Sequence, residues 1–180
     1  MPMSYGGGIN NIDDAKRILN SGFEKVSLNM AFMQDIDIIR NLSKMFGSQS
    51  IMVSIDVKKN IFGKYKVYNY IKENTINMGP LDYALQAEKM GAGEILLNLV
   101  DRDGTMEGYD IDLIKYISKE VDIPVVALGG AGKLNDFSKA INIGGASAVA
   151  AGSMFVFQGI HRAVLITYPN REELDKIVNG

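Results

Sequence analysis

Two rhythms alternate along this chain. Short apolar runs rich in Val, Ile and Leu stand at residues 25–28, 51–55, 94–99, 124–128 and 148–151. Between them, apolar positions recur three and four apart, the spacing of one helix face. Residues 1–5 read as a strand fragment, and Gly6-Gly7-Gly8 as the loop after it. Asn10 or Asn11 caps a helix running to about Asn20, with Ala15, Ile18 and Leu19 on the buried side and Gly22 as the stop. Further helices are expected over 34–46 (closed by Gly47), 80–90 (closed by Gly91), 110–121 and 171–178. Residues 57–78 break the rhythm. Lys64-Tyr65-Lys66-Val67-Tyr68 alternates and Gly63 offers a turn, so an inserted hairpin is expected, with Tyr65, Tyr68 and Tyr70 lining one face. Strand alternating with helix implies a parallel sheet of about six βα units. No interior stretch resembles a linker, so residues 1–180 read as one domain.

The most informative stretch is 123–153. A β-branched strand breaks into Gly129-Gly130-Ala131-Gly132, a helical segment follows, and a second apolar run ends at Gly152-Ser153. This is how a (β/α)8 barrel builds a phosphate pocket. Glycines let backbone N–H groups approach the anion, and a short helix after Ser153 adds its dipole. The pattern occurs twice. With Gly6 laid on Gly129, a step of 123 residues, Asp13 meets Asp136, Ile18 meets Ile141, Gly22 meets Gly145 and Phe32 meets Phe155 without a gap. That step is about four units at roughly 30 residues each, or half an eight-unit barrel. The fold class is therefore α/β, a (β/α)8 TIM-barrel type in incomplete form, equivalent to units three to eight.

Composition narrows the function. A net charge of −2 gives no field for nucleic acid or an acidic membrane. The absence of cysteine excludes disulfides and thiolate chemistry and fits a cytoplasmic location. No apolar run approaches the roughly 20 residues of a membrane span, and the first residues, MPMSYGGG, do not read as a signal peptide. Nothing in the sequence calls for a metal or an organic cofactor.

In a parallel barrel, chemistry sits where strands end. Those positions are Gly6-Gly7-Gly8, Asn29-Met30, Asp56, residues 98–105, Gly129-Gly130 and Gly152-Ser153. Two glycine loops across one mouth suit a substrate with a phosphate at each end. Asp56 ends an apolar strand at the centre, where an acid or base belongs. Simpler roles compete: tight turns for the glycines, a surface ion pair for Lys25 and Glu94, and a helix cap for Asp101 and Asp103, the better reading for Asp101. His161 reads as a surface residue, and Met30, Met33 and Met154 as packing.

MSYGGGI, KVSLN, IDVK, GAGEILLNLVDRDGT followed by GYD, and GGAGKLNDF resemble the cyclase subunit of imidazole glycerol phosphate synthase over essentially all 180 residues. The resemblance implies a barrel paired with a glutaminase. Ammonia crosses the barrel and joins a bis-phosphorylated ribulosyl nucleotide, and cyclisation and lyase steps yield imidazole glycerol phosphate. It makes Asp56 a catalytic carboxylate and Lys25 and Glu94 the ammonia gate. It places Gly8 and Asn29 at one phosphate, and Asp103, Gly104, Gly129, Gly130 and Ser153 at the other end.

Departures from the family are specific. Its second catalytic aspartate lies on a first strand without a counterpart in these residues. Met30 stands where the family has Thr, Leu128 where it has Ser before the glycine pair, and Asn98 where it has Thr. Met30 and Leu128 each remove a hydroxyl beside an expected phosphate, worth about 1.5–3 kcal/mol. Two alternatives follow. One is a paralogous glutaminase-partnered subunit supplying ammonia for amidino groups on nucleotide-linked sugars of surface polysaccharide. The other is a non-catalytic fragment that needs a partner chain.

Overall fold

The structure is a computed structural model describing residues 2–178. The chain runs β1 (Ser4–Gly6), α1 (Ile12–Asn20), β2 (Lys25–Leu28), α2 (Met30–Gln34), α3 (Asp37–Phe46), β3 (Ile51–Lys59), β4 (Tyr65–Asn69), β5 (Asn74–Thr75), α4 (Pro80–Met90) and β6 (Glu94–Leu99). It continues through α5 (Ile111–Ser118), β7 (Val125–Leu128), α6 (Leu134–Asn142), β8 (Ala148–Val149), α7 (Ser153–Val156), β9 (Phe157–Gln158), β10 (Ala163–Val164) and α8 (Arg171–Val178). Strands β1, β2, β3, β6, β7 and β8 lie side by side in that order and pair in parallel, the six expected units. Among the described residues, no helix is long and apolar enough to cross a membrane.

Side chains on a strand alternate between faces. One face of this sheet is apolar and lies under the helices: Val26, Val53, Ile55, Ile95, Leu97 and Ala127 are all at most 2 % exposed. Burying each of the larger ones contributes about 1.5–3 kcal/mol. The opposite face is mixed. Register partners Ser54, Leu96 and Val126 share it, as do Asp56, Asn98 and Leu128. The pattern explains why IMVSIDV alternates rather than running wholly apolar, since one side builds the core and the other lines a cavity. The edge strand β1 is exposed at all three residues.

Several boundaries differ from expectation for identifiable reasons. The helix expected over 34–46 is two helices. Asp35 adopts an extended conformation, φ −141° and ψ 105°, and its carboxylate accepts the Asp37 N–H at 3.0 Å, so a new helix starts there. Strand β3 continues past Ile55 to Lys59 because Val57, Lys58 and Lys59 pair antiparallel with β4. Asp56 is therefore inside a strand, not at its end. The expected helix over 110–121 is shorter, Ile111–Ser118, with Asp110 as its cap.

The repeat register also needs correction. Helices α1 and α6 are offset by 122 residues, and the left-handed Gly7 and Gly8 correspond to Gly129 and Gly130 at the same step. Asp14, not Asp13, is the counterpart of Asp136: each accepts the N–H four residues earlier, from Asn10 and Gly132 respectively. The step becomes 123 only after the helices, where Gly144-Gly145 inserts one extra residue before β8.

The hairpin exists, but Tyr65 and Tyr68 point to opposite faces, as an odd spacing in a strand requires. Lys59 lies over Tyr65 and Lys58 over Tyr68, at 4.8 and 5.1 Å. The Tyr68 ring meets Tyr70 at 5.3 Å. Asp101 caps no helix; it accepts the Lys59 N–H at 3.0 Å and ties the hairpin down. Asp110 does more. It accepts from the Leu113 N–H at 3.0 Å, from the Tyr65 hydroxyl at 2.9 Å and from Lys59 at 3.1 Å. Burial works against its charge, yet these three donors hold its carboxyl below the usual carboxylate range. Asp110→Ala is expected to cost about 2 kcal/mol in denaturant unfolding at pH 7. Because the folded-state pKa is depressed, the difference is present above the ordinary value of 3.8 and is lost as pH falls through the lower folded value.

Candidate active site

Asp56 is 8 % exposed on the inner face of the sheet. Its two oxygens are each met by an amide: Asn29 Nδ2 donates to Oδ2 at 2.7 Å and Asn98 Nδ2 to Oδ1 at 2.9 Å. Asn98 is its register partner on β6, and Asn29 stands just after β2. Burial pushes the Asp56 carboxyl up; the two amides pull it back, and the charge of Asp103 adds to the rise. A carboxylate with a raised pKa and fixed oxygens is suited to proton transfer. Asn98 Oδ1 is buried without a hydrogen-bond partner among the described residues.

The residues expected at the two phosphates fall into two groups. Gly8 and Asn29 line a cavity of about 660 Å³ that runs along the inner face past Ser27, Ser54 and Leu96. Asp103, Gly104, Gly129, Gly130 and Ser153 surround a separate recess of about 10 Å³, together with Leu128. The glycine loops are not alike. A Cβ on Gly7 or Gly8 would meet nothing within 4 Å. A Cβ on Gly129 would lie 2.6 Å from Asn98 Oδ1, and one on Gly130 would overlap Gly108 O. The first loop is open to a ligand. The second is closed by backbone packing, and its glycines are required by the fold as well as placed at the recess.

The DRDGT stretch shapes that packing. Arg102 Nη1 donates to the carbonyls of Gly108 and Tyr109, both at 2.9 Å, which curls residues 102–109 back on themselves. The Gly108 N–H then donates to Gly130 O at 2.7 Å. Tyr109 hydroxyl reaches Ala150 O at 2.8 Å. The loop thus braces β7 and β8 and presents Asp103 and Gly104 beside Ser153; a Cβ on Gly104 would lie 3.7 Å from Ser153 Oγ. Helix α7 is a single turn.

Lys25 and Glu94 begin β2 and β6 and meet across β3, Nζ to Oε2 at 2.6 Å. They occupy the end of the strands opposite to Asp56. Lys25 is about a third exposed, so solvent screens the pair and it adds about 1 kcal/mol.

A family model described as histidine biosynthesis protein matches residues 1–161. The chain belongs to that family. Relatives within it are close. A protein of Pseudomonas aeruginosa named "Putative imidazole glycerol phosphate synthase subunit hisF2" is 45 % identical over 175 residues, 97 % of this chain and 70 % of the relative. One of Leptospira interrogans named "Putative imidazole glycerol phosphate synthase subunit HisF" is 43 % identical over 178 residues, 98 % of this chain and 70 % of the relative. "Imidazole glycerol phosphate synthase subunit HisF" of Sulfolobus acidocaldarius is 45 % identical over 152 residues, 84 % of this chain and 60 % of the relative.

Within this family member, one residue near the site and one side-chain pairing escaped the sequence argument. Asn98 stood among the strand-end positions and as a departure from the family pattern, but not as a partner of Asp56. Its pairing with Asp56 follows from strand register, since both lie on the cavity face of neighbouring strands. Arg162, beside Gly104, had no sequence signal, because the hairpin that carries it is defined by tertiary contacts.

Proposed function

We propose that this chain is the ammonia-using cyclase and lyase subunit of a glutamine amidotransferase, converting a bis-phosphorylated ribulosyl nucleotide to imidazole glycerol phosphate. The observation that carries the proposal is Asp56, buried and held by two amides, on the same inner face as the Lys25–Glu94 pair at the far end of the strands. Ammonia released by a glutaminase enters past Lys25 and Glu94, follows the face bearing Ser27 and Ser54, and reaches the substrate beside Asp56. Asp56 accepts a proton as the amine adds and returns it to the departing group. Gly8 and Asn29 receive one phosphate. Asp103, Gly104, Gly129, Gly130 and Ser153 surround the other end.

The experiment is turnover of the ribulosyl nucleotide by the full-length gene product with ammonium salt as nitrogen source. Formation of imidazole glycerol phosphate supports the proposal. No turnover under conditions where the Sulfolobus relative is active contradicts it. A paired measurement addresses the gate. Lys25→Ala with Glu94→Ala is expected to shift the thermal midpoint by less than about 4 °C. The same change alters the ratio of glutamine-driven to ammonium-driven turnover when the glutaminase is present. An unchanged ratio would remove the pair from the ammonia path.

A second reading starts from Met30, Leu128 and Asn98; the relatives' names leave it open and add nothing to it. In it, the same ammonia path serves amidino-group formation on a nucleotide-linked sugar. Turnover of the ribulosyl nucleotide excludes it as the main activity.

A further inference from the structure

Arg162 is the first residue beyond the matched family region, and it stands at the rim of the second recess. It occupies the turn between β9 and β10 with a left-handed backbone, φ +49°. Its Nη1 donates to Gly104 O at 3.1 Å, and its guanidinium lies 4.7 Å over the Phe157 ring. Among the described residues it forms no ion pair with an Asp or Glu. The hairpin beneath it is anchored. Leu165 N–H donates to Val156 O and Thr167 N–H to Phe155 O, both at 2.9 Å. The Phe155 ring packs against Phe137 at 6.3 Å and Tyr168 at 5.1 Å.

A non-glycine residue in left-handed backbone costs free energy, and here that conformation points a guanidinium at a loop carbonyl. A carbonyl takes one of the five guanidinium N–H groups and none of its charge. An anion takes two in parallel and neutralises it. The recess beside it is rimmed by Gly104, Gly130 and Ser153, and Leu128, also in its lining, offers no side-chain donor. A positive group thus stands next to Gly104 at the edge of a recess whose Leu128 offers no donor.

We propose that Arg162 is a specificity-determining residue of this second subsite, receiving the terminal phosphate of the substrate through its guanidinium. The proposal rests on the reading of the recess as the far phosphate end. The recess holds about 10 Å³, and the Arg162–Gly104 bond ties its rim to the turn between β9 and β10. A phosphate monoester displaces the Gly104 carbonyl from the guanidinium and lets the rim move outward. Neutral sugars offer only uncharged hydroxyl acceptors for that bond, so the subsite favours dianionic phosphate esters.

The test is a 15N NMR titration of the full chain with D-ribose 5-phosphate as probe and D-ribose as the uncharged control. Gly104 and Gly130 amide signals report this subsite, and Gly8 reports the other. In the parent protein, Gly104 and Gly130 titrate with the phosphate ester and not with ribose. Arg162→Gln weakens that titration about tenfold, the size of one charge-assisted interaction, and leaves the Gly8 titration unchanged. Arg162→Lys, which keeps the charge on the same hairpin, recovers part of the loss; affinity no better than that of the Gln variant overturns the charge assignment. Equal affinity in the parent and Arg162→Gln at Gly104 and Gly130 overturns the role of Arg162 while the subsite stands. No titration of these amides in the parent overturns the subsite reading itself.

Discussion

Asp56→Asn is expected to lower ammonium-driven turnover by about 10²–10⁴-fold, the usual contribution of a positioned acid or base. The same change does not weaken the fold. Burial raises the Asp56 carboxyl above its ordinary value of 3.8, so the folded chain holds the proton more tightly than the unfolded chain does. Ionised Asp56 therefore works against folding at neutral pH, and that cost fades as pH falls through the raised value. The Asn variant has no such charge to bury. Its unpartnered neighbour Asn98 Oδ1 becomes an acceptor for the new amide once the Asn98 side chain turns over. The thermal midpoint of the variant at pH 7 is expected to equal or exceed that of the parent, with the gap closing by about pH 4. Melting over that range, alongside turnover, checks both halves. Lost activity with a midpoint several degrees lower would make Asp56 a structural residue.

Gly130→Ala is expected to cost about 4 kcal/mol in denaturant unfolding, among the larger effects of a single methyl group. Two causes add. Gly130 has φ +112°, a conformation that L side chains rarely adopt, and the new Cβ would overlap Gly108 O. Relief requires moving Gly108, whose N–H donates to Gly130 O at 2.7 Å, and with it the loop curled by Arg102. Gly7→Ala is the informative contrast. Its φ of +97° is also left-handed, but nothing lies within 4 Å of the added Cβ. That variant should lose only about 1 kcal/mol from backbone strain, while ligand binding at the open loop suffers. If both variants unfold alike, the distinction between a closed and an open glycine loop is wrong.

The alternation of short β-branched runs with helical spacing was enough to place six parallel units, and several elements fall at their expected residues. Lys25–Leu28, Pro80–Met90 and Glu94–Leu99 are examples, the last two bounded by a glycine or a proline that local chemistry reads directly. Errors arose where a distant partner decided the outcome. Strand β3 runs four residues beyond Ile55 because β4 extends its pairing. The repeat slips by one residue because Gly144-Gly145 adds a residue to a turn, which a gap-free alignment cannot register. Asp101 looked like a helix cap and instead fastens the hairpin. Of the candidate site, Asp56 stood out from its place in IDVK, and Lys25 and Glu94 from the family resemblance. Asn29 and Asn98 stood among the strand-end positions, but their bonds to Asp56 were not legible, since strand register and side-chain direction make them.

The account turns on ammonia reaching a substrate beside Asp56. The direct measurement supplies 15N-ammonium and the bis-phosphorylated ribulosyl nucleotide to the full-length gene product and follows the imidazole product by mass spectrometry. The account predicts imidazole glycerol phosphate carrying one 15N, formed by the parent and formed about 10²–10⁴-fold more slowly by Asp56→Asn. Unlabelled product, or labelled product formed equally by the Asp56→Asn variant, would contradict it.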